Sequence, residues 1–104
     1  ETKKRPEKEY NLTNWLHQQQ SNNYTLQLAS VVKRKDIINF IKKEDFKDRV
    51  GYVEVTVNGI ARYAAIYGLY NSYDHAKKAI SELPSDINTK PWIRKIGAMK
   101  EILR

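Results

Sequence analysis

Two runs of alternating residues joined by an Asn-Gly pair constrain the fold of this chain most strongly. The run that ends at Val57 and the run that begins at Ile60 alternate like β-strands, and Asn58-Gly59 between them is a strong signal for a β-hairpin. A two-residue loop would put Arg62 on the valine face, which would bury its charge. A longer loop with a left-handed Gly59 in a bulge avoids this burial, and we therefore expect it.

The register of the hairpin decides which side chains share a face of the sheet. With the longer loop, one face carries a packed core and the other stays open. Gln27 joins the open face, because it alternates with Leu26 and Leu28 in another strand and those leucines belong in the core. The core face is expected to carry Val53, Val55, Tyr63, Ala65 and Tyr67. The open face is expected to carry Thr25, Gln27, Ala29, Tyr52, Glu54, Thr56, Arg62, Ala64 and Ile66.

The remaining segments predict helices around these strands. Apolar residues at helical spacing predict the first two helices, and Met99, Ile102 and Leu103 indicate the last. The third helix begins at the cap residue Ser72 and is ended by Pro84. The predicted helices lie at residues 11–20, 33–45, 72–83 and 97–104. The predicted strands lie at residues 24–30, 50–57, 60–70 and 91–96. This β-α-β-β-α-β order with a flanking helix at each end predicts an α+β fold, a four-stranded antiparallel sheet of the RNP-like or ferredoxin-like kind.

Length and charge bound the possible partners. The 104 residues suit one small domain at residues 11–104, while residues 1–10 are charged, contain a proline and predict a mobile linker end. The net charge of +7 favours an anionic or mixed partner, which leaves nucleic acid, anionic lipid and acidic polysaccharide open. No apolar run approaches the ~18 residues of a membrane span, and no signal peptide is present. A first residue other than Met suggests a fragment of a longer protein.

Catalysis finds little support in the residue types present. The chain has no cysteine, which excludes disulfides, zinc thiolate sites and a cysteine nucleophile. His17 and His75 fall on different predicted helices, and neither has a Ser or Asp partner at a useful spacing. The motifs of phosphate loops, dinucleotide sites and zinc proteases are missing from the sequence. We therefore expect a protein that is not an enzyme and that uses no cofactor or metal.

The expected open face suits a polar, largely uncharged ligand such as a sugar. Amides and hydroxyls match the hydroxyl and acetamido groups of sugars, and flat apolar surface packs on their C–H faces. Arg62 could bind a carboxylate through two bonds, or it could pair with Glu54 across the sheet. RNA is the alternative ligand because RNA-binding sheets share this topology, although Tyr63 and Tyr67 fall on the core face and no aromatic RNA-binding motif is present.

Several segments, in this order and spacing, resemble the SPOR domain. Its first strand is similar to the run Tyr-Thr-Leu-Gln-Leu-Ala-Ser at residues 24–30, and its third strand to Tyr-Ala-Ala-Ile-Tyr-Gly-Leu-Tyr at residues 63–70. The start of its second helix is similar to Ser-Tyr-Asp-His-Ala at residues 72–76, and the end of that helix to Leu83-Pro84. The likeness runs over residues 15–103. Features that resemble the SPOR domains of cell-division proteins in particular are Trp15-Leu16, Asn58-Gly59 and Lys90-Pro91-Trp92.

The resemblance implies a non-catalytic, periplasmic module that binds peptidoglycan strands stripped of their stem peptides at the bacterial division septum. It implies a parent protein anchored in the inner membrane by a span outside this fragment, and no nucleic-acid partner. Peptide removal leaves a lactyl carboxylate on each muramic acid, which suits a basic domain. Other division proteins are further candidate partners, and a septal protein-interaction module is an alternative function.

By position, the resemblance assigns Gln27 and Ser30 to the binding face, and Trp92 either to the ligand or to the core. Strand alternation would turn Ser30 away from Gln27, so its role requires the strand to end or bend before it. Arg62 stands where similar SPOR domains have a tryptophan, and Ala64 where an arginine is frequent. The candidate glycan-binding residues are therefore Thr25, Gln27, Ser30, Tyr52, Glu54, Arg62, Ile66 and Trp92.

Overall fold

Four antiparallel strands form a sheet in the order β2-β3-β1-β4. The structure, a computed structural model, describes residues 7–43, 46, 49–83 and 90–104. The strands are β1 (Tyr24–Val31), β2 (Val50–Val57), β3 (Ile60–Tyr70) and β4 (Trp92–Lys95). The helices are a 3-10 turn (Glu7–Tyr10), α1 (Thr13–His17), α2 (Arg34–Lys43), α3 (Tyr73–Ile80) and α4 (Ile96–Ile102). The predicted α+β fold and the predicted order of its elements are confirmed.

The helices between the strands form where the sequence supplies a cap or an apolar stripe. Ser72 Oγ accepts a hydrogen bond from the backbone N–H of His75 at 3.1 Å, which begins α3 as predicted. Asp74 lies in the first turn of α3, where its negative charge interacts favourably with the positive end of the helix dipole. The predicted end of this helix at Pro84 lies outside the described residues. The stripe that α2 buries consists of Ile37, Ile38 and Ile41.

α2 and α3 pack on one face of the sheet and close a first apolar cluster. Leu26 and Leu28 of β1 are 0% and 2% exposed within it, so Gln27 between them faces the other way, as predicted. Tyr10 is 5% exposed in the same cluster and so belongs to the domain rather than to the predicted linker end. Residues 1–6 of that linker end lie outside the described part of the chain. The other buried members are Ile37, Ile38, Ile41, Val50, Tyr52, Ala65, Tyr67, Ala76 and Ala79.

The hairpin between β2 and β3 has the two-residue loop, and the prediction of a longer, bulged loop is wrong. Val57 lies opposite Ile60, and Asn58 and Gly59 have φ angles of 52° and 78°. Positive φ at both central positions is typical of a type I′ turn, whose twist matches that of the flanking strands. Arg62 therefore shares a face with Val53 and Val55 of β2.

Val53 and Val55 of β2 pack into a second apolar cluster on the face away from α2 and α3. Leu16 of α1 and Met99 of α4 are both 0% exposed in this cluster with Val53 and Val55. The loop prediction failed because it assumed a single core, whereas both faces of β2 are packed. Arg62 lies opposite Val55 and stays half-buried, so its charge is not enclosed. The other buried members are Leu12, Ala64, Ile66 and Ile96.

Terminal segments hydrogen-bond to the outer edge of β2. The N–H of Leu12 donates to the carbonyl of Tyr52 at 2.7 Å, and the N–H of Arg104 donates to the carbonyl of Glu54 at 2.8 Å. The N–H of Glu54 in turn donates to Thr13 Oγ at 3.1 Å. These bonds occupy a strand edge that would otherwise be open to another chain. In the part of the chain that the structure describes, no helix is long and apolar enough to cross a membrane.

Candidate ligand-binding groove

A groove of about 350 Å³ lies on the second face of the sheet, beside the end of α4. Its floor is apolar, with Ala64 of β3 and Val55 of β2, and Ile102 of α4 forms one wall. Polar side chains from β1, β3 and β4 surround this floor. A concave apolar surface with a few convergent polar groups is the usual form of a small-molecule or glycan site. The lining residues are Gln27, Ser30, Val55, Val57, Arg62, Ala64, Trp92, Arg94 and Ile102.

A β-bulge in β1 brings Gln27 and Ser30 to the same face. Gln27 lies opposite Ile66, and Ala29 lies opposite the next residue of β3, Ala65. Leu28 is therefore an extra residue in β1, and the alternation of side chains shifts by one position after it. Ser30 now faces the groove with Gln27, whereas Ala29 packs against the first cluster. The bend that the role of Ser30 requires is present, and the expected place of Ala29 on the open face is wrong.

Gln27 is held by an arginine from the neighbouring strand. β4 places Trp92 opposite Gln27 and Arg94 opposite Thr25, so both side chains face the groove. Arg94 Nη1 donates a hydrogen bond to Gln27 Oε1 at 2.9 Å. Burial lowers the pKa of Arg94, but a guanidinium keeps its proton at neutral pH. The groove therefore carries a fixed positive charge beside the Gln27 amide.

A second guanidinium enters the groove from β3. Arg62 Nε donates to Ser30 Oγ at 2.8 Å, and Arg62 Nη2 donates to the Ser30 carbonyl at 3.0 Å. These two bonds tie β3 to β1 just beyond the bulge, and they hold the guanidinium over the sheet instead of extended in solvent. Arg62 is thus available for a ligand in a defined orientation.

Trp92 is the exposed aromatic residue of the groove. Its side chain is 58% exposed, and the guanidinium of Arg94 lies 4.3 Å from its ring centroid. This cation–π contact orients the indole without covering it fully. The exposure supports a role in ligand contact over a role as a core anchor. Trp92 also borders a second groove of about 410 Å³, whose other lining residues are Tyr73, Lys77, Ile80, Pro91 and Ile93.

Two predicted site residues lie on the wrong face for a shared site with Gln27. Tyr52 is 2% exposed in the first cluster, with its ring 5.7 Å from that of Tyr63. Glu54 lies opposite Tyr63, and its Oε2 accepts a bond from Asn11 Nδ2 at 3.1 Å. The proposed pairing of Glu54 with Arg62 is therefore wrong as well. Both errors follow from the register of the hairpin, because a shift of one position exchanges the two faces.

Two further predicted site residues lie on the same face of the sheet as Gln27, as expected, but their side chains are buried and inaccessible to a ligand. Thr25 is 0% exposed, and its hydroxyl lies 2.7 Å from the carbonyl of Gly68 and 3.2 Å from that of Tyr67. Ile66 is 1% exposed within the second cluster. Neither side chain can contact a glycan without rearrangement of the sheet. Of the eight candidates, the structure brings together Gln27, Ser30, Arg62 and Trp92.

Arg94 is the charged residue of the groove that sequence reasoning missed. It lies two positions after Trp92 in β4, so strand alternation alone places the two side chains on one face. The described histidines offer no alternative chemistry: His17 is exposed, and His75 Nδ1 lies 2.7 Å from Asn71 Oδ1 on the surface of α3. Among the described residues, no group of three or more His, Cys, Asp or Glu could hold a metal ion.

Comparison with known proteins agrees with this architecture. A family model for the SPOR domain matches residues 20–95. The cell division protein DamX of Serratia marcescens is 34% identical over 83 residues, which are 78% of this chain and 38% of that protein. The chain thus spans less than two-fifths of the length of this relative. It belongs to the SPOR domain family of non-catalytic, peptidoglycan-binding modules, as its strand and helix motifs indicate.

Proposed function

We propose that this domain binds peptidoglycan glycan strands that lack stem peptides, and that the groove on the second face of the sheet is the binding site. The observation that carries the proposal is the convergence of the Gln27 amide, the Trp92 indole and two guanidiniums over one apolar floor. An indole packs on the C–H face of a sugar ring, while amide and guanidinium groups bind its oxygens. An open groove on a sheet also admits a polymer that continues beyond the bound sugars.

The charge of the molecule supports an anionic polysaccharide as the ligand. The net charge is +7, and Arg62 and Arg94 concentrate positive charge in the groove itself. Stem-peptide removal leaves one carboxylate on each muramic acid, so a denuded strand is a polyanion. Opposite charges raise the association rate and the local concentration of such a ligand.

The direct test is co-sedimentation with amidase-treated sacculi, in which the glycan strands are denuded. We expect Gln27→Lys and Arg62→Ala to reduce the bound fraction several-fold. The first removes the amide, including the oxygen that holds Arg94 in place, and the second removes a guanidinium from the groove. Arg34→Ala is the matched control, since Arg34 is an exposed residue of α2 outside the groove. Circular dichroism should show an unchanged fold. Unchanged binding in both groove variants would contradict the proposed site.

We further propose that glycan binding brings a longer parent protein to the division site in the periplasm. The similarity to a cell division protein supports this location. A fluorescent fusion of the domain, exported to the periplasm, should concentrate at septa, and it should lose this pattern in cells that lack the amidases. Septal localisation that persists in such cells would instead favour recruitment by another division protein.

RNA remains a competing ligand on account of the net charge alone. Base stacking on a sheet needs accessible aromatic rings. Tyr67 is 7% exposed and Tyr63 packs on Tyr52, both on the face that α2 and α3 cover, so Trp92 is the aromatic residue that the groove offers. Single-stranded RNA at physiological salt should therefore neither bind tightly nor displace a denuded glycan. Displacement at stoichiometric RNA would favour the alternative.

A further inference from the structure

The hydrogen bonds inside the groove determine which of its polar atoms remain for a ligand. An arginine has donors and no acceptor, so the atom of Gln27 that faces Arg94 must be the carbonyl oxygen. This contact fixes the orientation of the amide. The two N–H bonds of Gln27 Nε2 are then left for a ligand, since no protein acceptor for them occurs among the described residues.

Ser30 and Arg62 also offer donors. Ser30 Oγ accepts from Arg62 Nε, which leaves the Ser30 hydroxyl proton free to donate. Arg62 uses one N–H of Nε and one of Nη2 on Ser30, and the described residues provide no acceptor for its other N–H bonds. Arg94 keeps N–H bonds beyond the one that it gives to Gln27. The polar side chains of the groove therefore offer mainly donors, two of them cationic.

No carboxylate is found among the described residues that line this groove. Both guanidiniums are half-buried, so water screens them less than it screens an exposed lysine. Donors and positive charge without an internal counter-ion match an anionic acceptor group on the ligand. A carboxylate satisfies this requirement, because it accepts several hydrogen bonds and pairs with guanidinium in a fork geometry.

We propose that the groove recognises the free lactyl carboxylate of muramic acid, and that this recognition is how the domain distinguishes denuded from peptide-bearing strands. The inference rests on the proposed function and specifies the chemical group that is read. When a stem peptide is attached, the carboxylate becomes an amide, which is neutral and adds an N–H donor. A group with one carbonyl acceptor and a donor is a poor partner for a site that consists of donors.

The test compares two forms of one ligand. The affinity of the domain is measured for soluble denuded glycan and for the same glycan after its carboxylates are converted to methylamides. This conversion removes the charge without adding a stem peptide. We expect the methylamide form to bind at least about tenfold more weakly in a calorimetric titration, because charge-assisted hydrogen bonds are lost. Equal affinity for the two forms would overturn the inference and leave the proposed function intact. Absence of binding to both forms would overturn both.

A substitution within the groove makes the same comparison from the side of the protein. Gln27→Glu keeps an oxygen for Arg94 and replaces the free N–H₂ group by a second oxygen. We expect this variant to lose about tenfold in affinity for the carboxylate form and much less for the methylamide form, so that its preference between the ligands disappears. Arg34→Ala, on α2, should retain the preference of the unmodified protein. A Gln27→Glu variant that keeps this preference would contradict the inference.

Discussion

At the scale of single residues, the groove depends on a chain of contacts that starts at Arg94. Its guanidinium lies over the Trp92 ring and donates to Gln27, so one side chain orients an aromatic and an amide contact together. Groups that are already oriented lose less conformational entropy when a ligand binds. Arg94 is thus a positioning residue as well as a source of charge. The position of Arg94 in the sheet is set by the pairing of β4 with β1, where it lies opposite Thr25.

Trp92→Ala should separate ligand contact from stability. The side chain is 58% exposed, so its removal should change the free energy of unfolding by no more than about 0.5 kcal/mol. The loss of stacking surface should lower the affinity for denuded glycan about tenfold. Urea denaturation and a glycan titration measure the two effects. Val32→Ala is a control with a similarly exposed apolar residue, 54%, outside the groove. A large loss of stability in Trp92→Ala would instead indicate a core role.

Thr25→Val should have the opposite profile. Its hydroxyl is buried and donates toward the carbonyls of Gly68 and Tyr67, so the nearly isosteric valine would leave buried acceptors unsatisfied. We expect a loss of about 1–3 kcal/mol in the free energy of unfolding, measured in urea. Thr25→Ser keeps the hydroxyl and should retain most of this energy. A loss in Thr25→Ser that exceeds the loss in Thr25→Val would show that the methyl group, rather than the hydrogen bond, stabilises the site.

At the scale of elements, sequence periodicity predicts where strands and helices lie better than how they are aligned. β2 and β3 begin and end where alternation predicts them, and Ser72 caps α3 as expected. Alternation alone cannot say how many faces of a strand are covered, and so the register chosen to keep Arg62 exposed was wrong. Leu16 and Met99 are the sequence signal for a second packed face. They are apolar residues of the two flanking helices, and they need a surface of the sheet against which to be buried.

The bulge in β1 illustrates a second limit of the sequence. Its extra residue is Leu28, an apolar side chain that gives no local sign of irregular backbone. Bulges form where the pairing of neighbouring strands requires them, and that pairing is a property of the assembled sheet. The family resemblance predicts that Ser30 shares a face with Gln27, and the bulge supplies the structural reason. The place of Arg94, in contrast, can be predicted from the sequence, because strand alternation puts it on the same face as Trp92.

The hairpin register can be tested at its turn. Gly59 has a φ of 78°, and a Cβ atom added there would meet nothing within 4 Å, so the cost of Gly59→Ala comes from the backbone alone. We expect a loss of about 1 kcal/mol in the free energy of unfolding. Asn58→Gly is the matched control: glycine tolerates the positive φ of 52° there, and stability should change by less than about 0.5 kcal/mol. Unchanged stability in Gly59→Ala would argue against a type I′ turn.

At the scale of the whole molecule, a single sheet is packed on both faces, and the groove lies where the second layer ends. The first cluster, under α2 and α3, contains none of the residues that line the groove on the other face. The second cluster supports α4, whose Ile102 is a wall of the groove. Damage to the two clusters should therefore have similar effects on stability and different effects on binding.

This difference is measurable with one large-to-small substitution in each cluster. Ile37 and Met99 are both 0% exposed, so Ile37→Ala and Met99→Ala should each lower the free energy of unfolding by about 2–5 kcal/mol. Met99 lies one turn before Ile102, and a cavity beneath α4 should loosen the groove wall. At a temperature well below both unfolding midpoints, Met99→Ala should therefore bind denuded glycan more weakly than Ile37→Ala, which should bind like the unmodified protein. Equal affinities would show that the wall is set by the sheet rather than by the packing of α4.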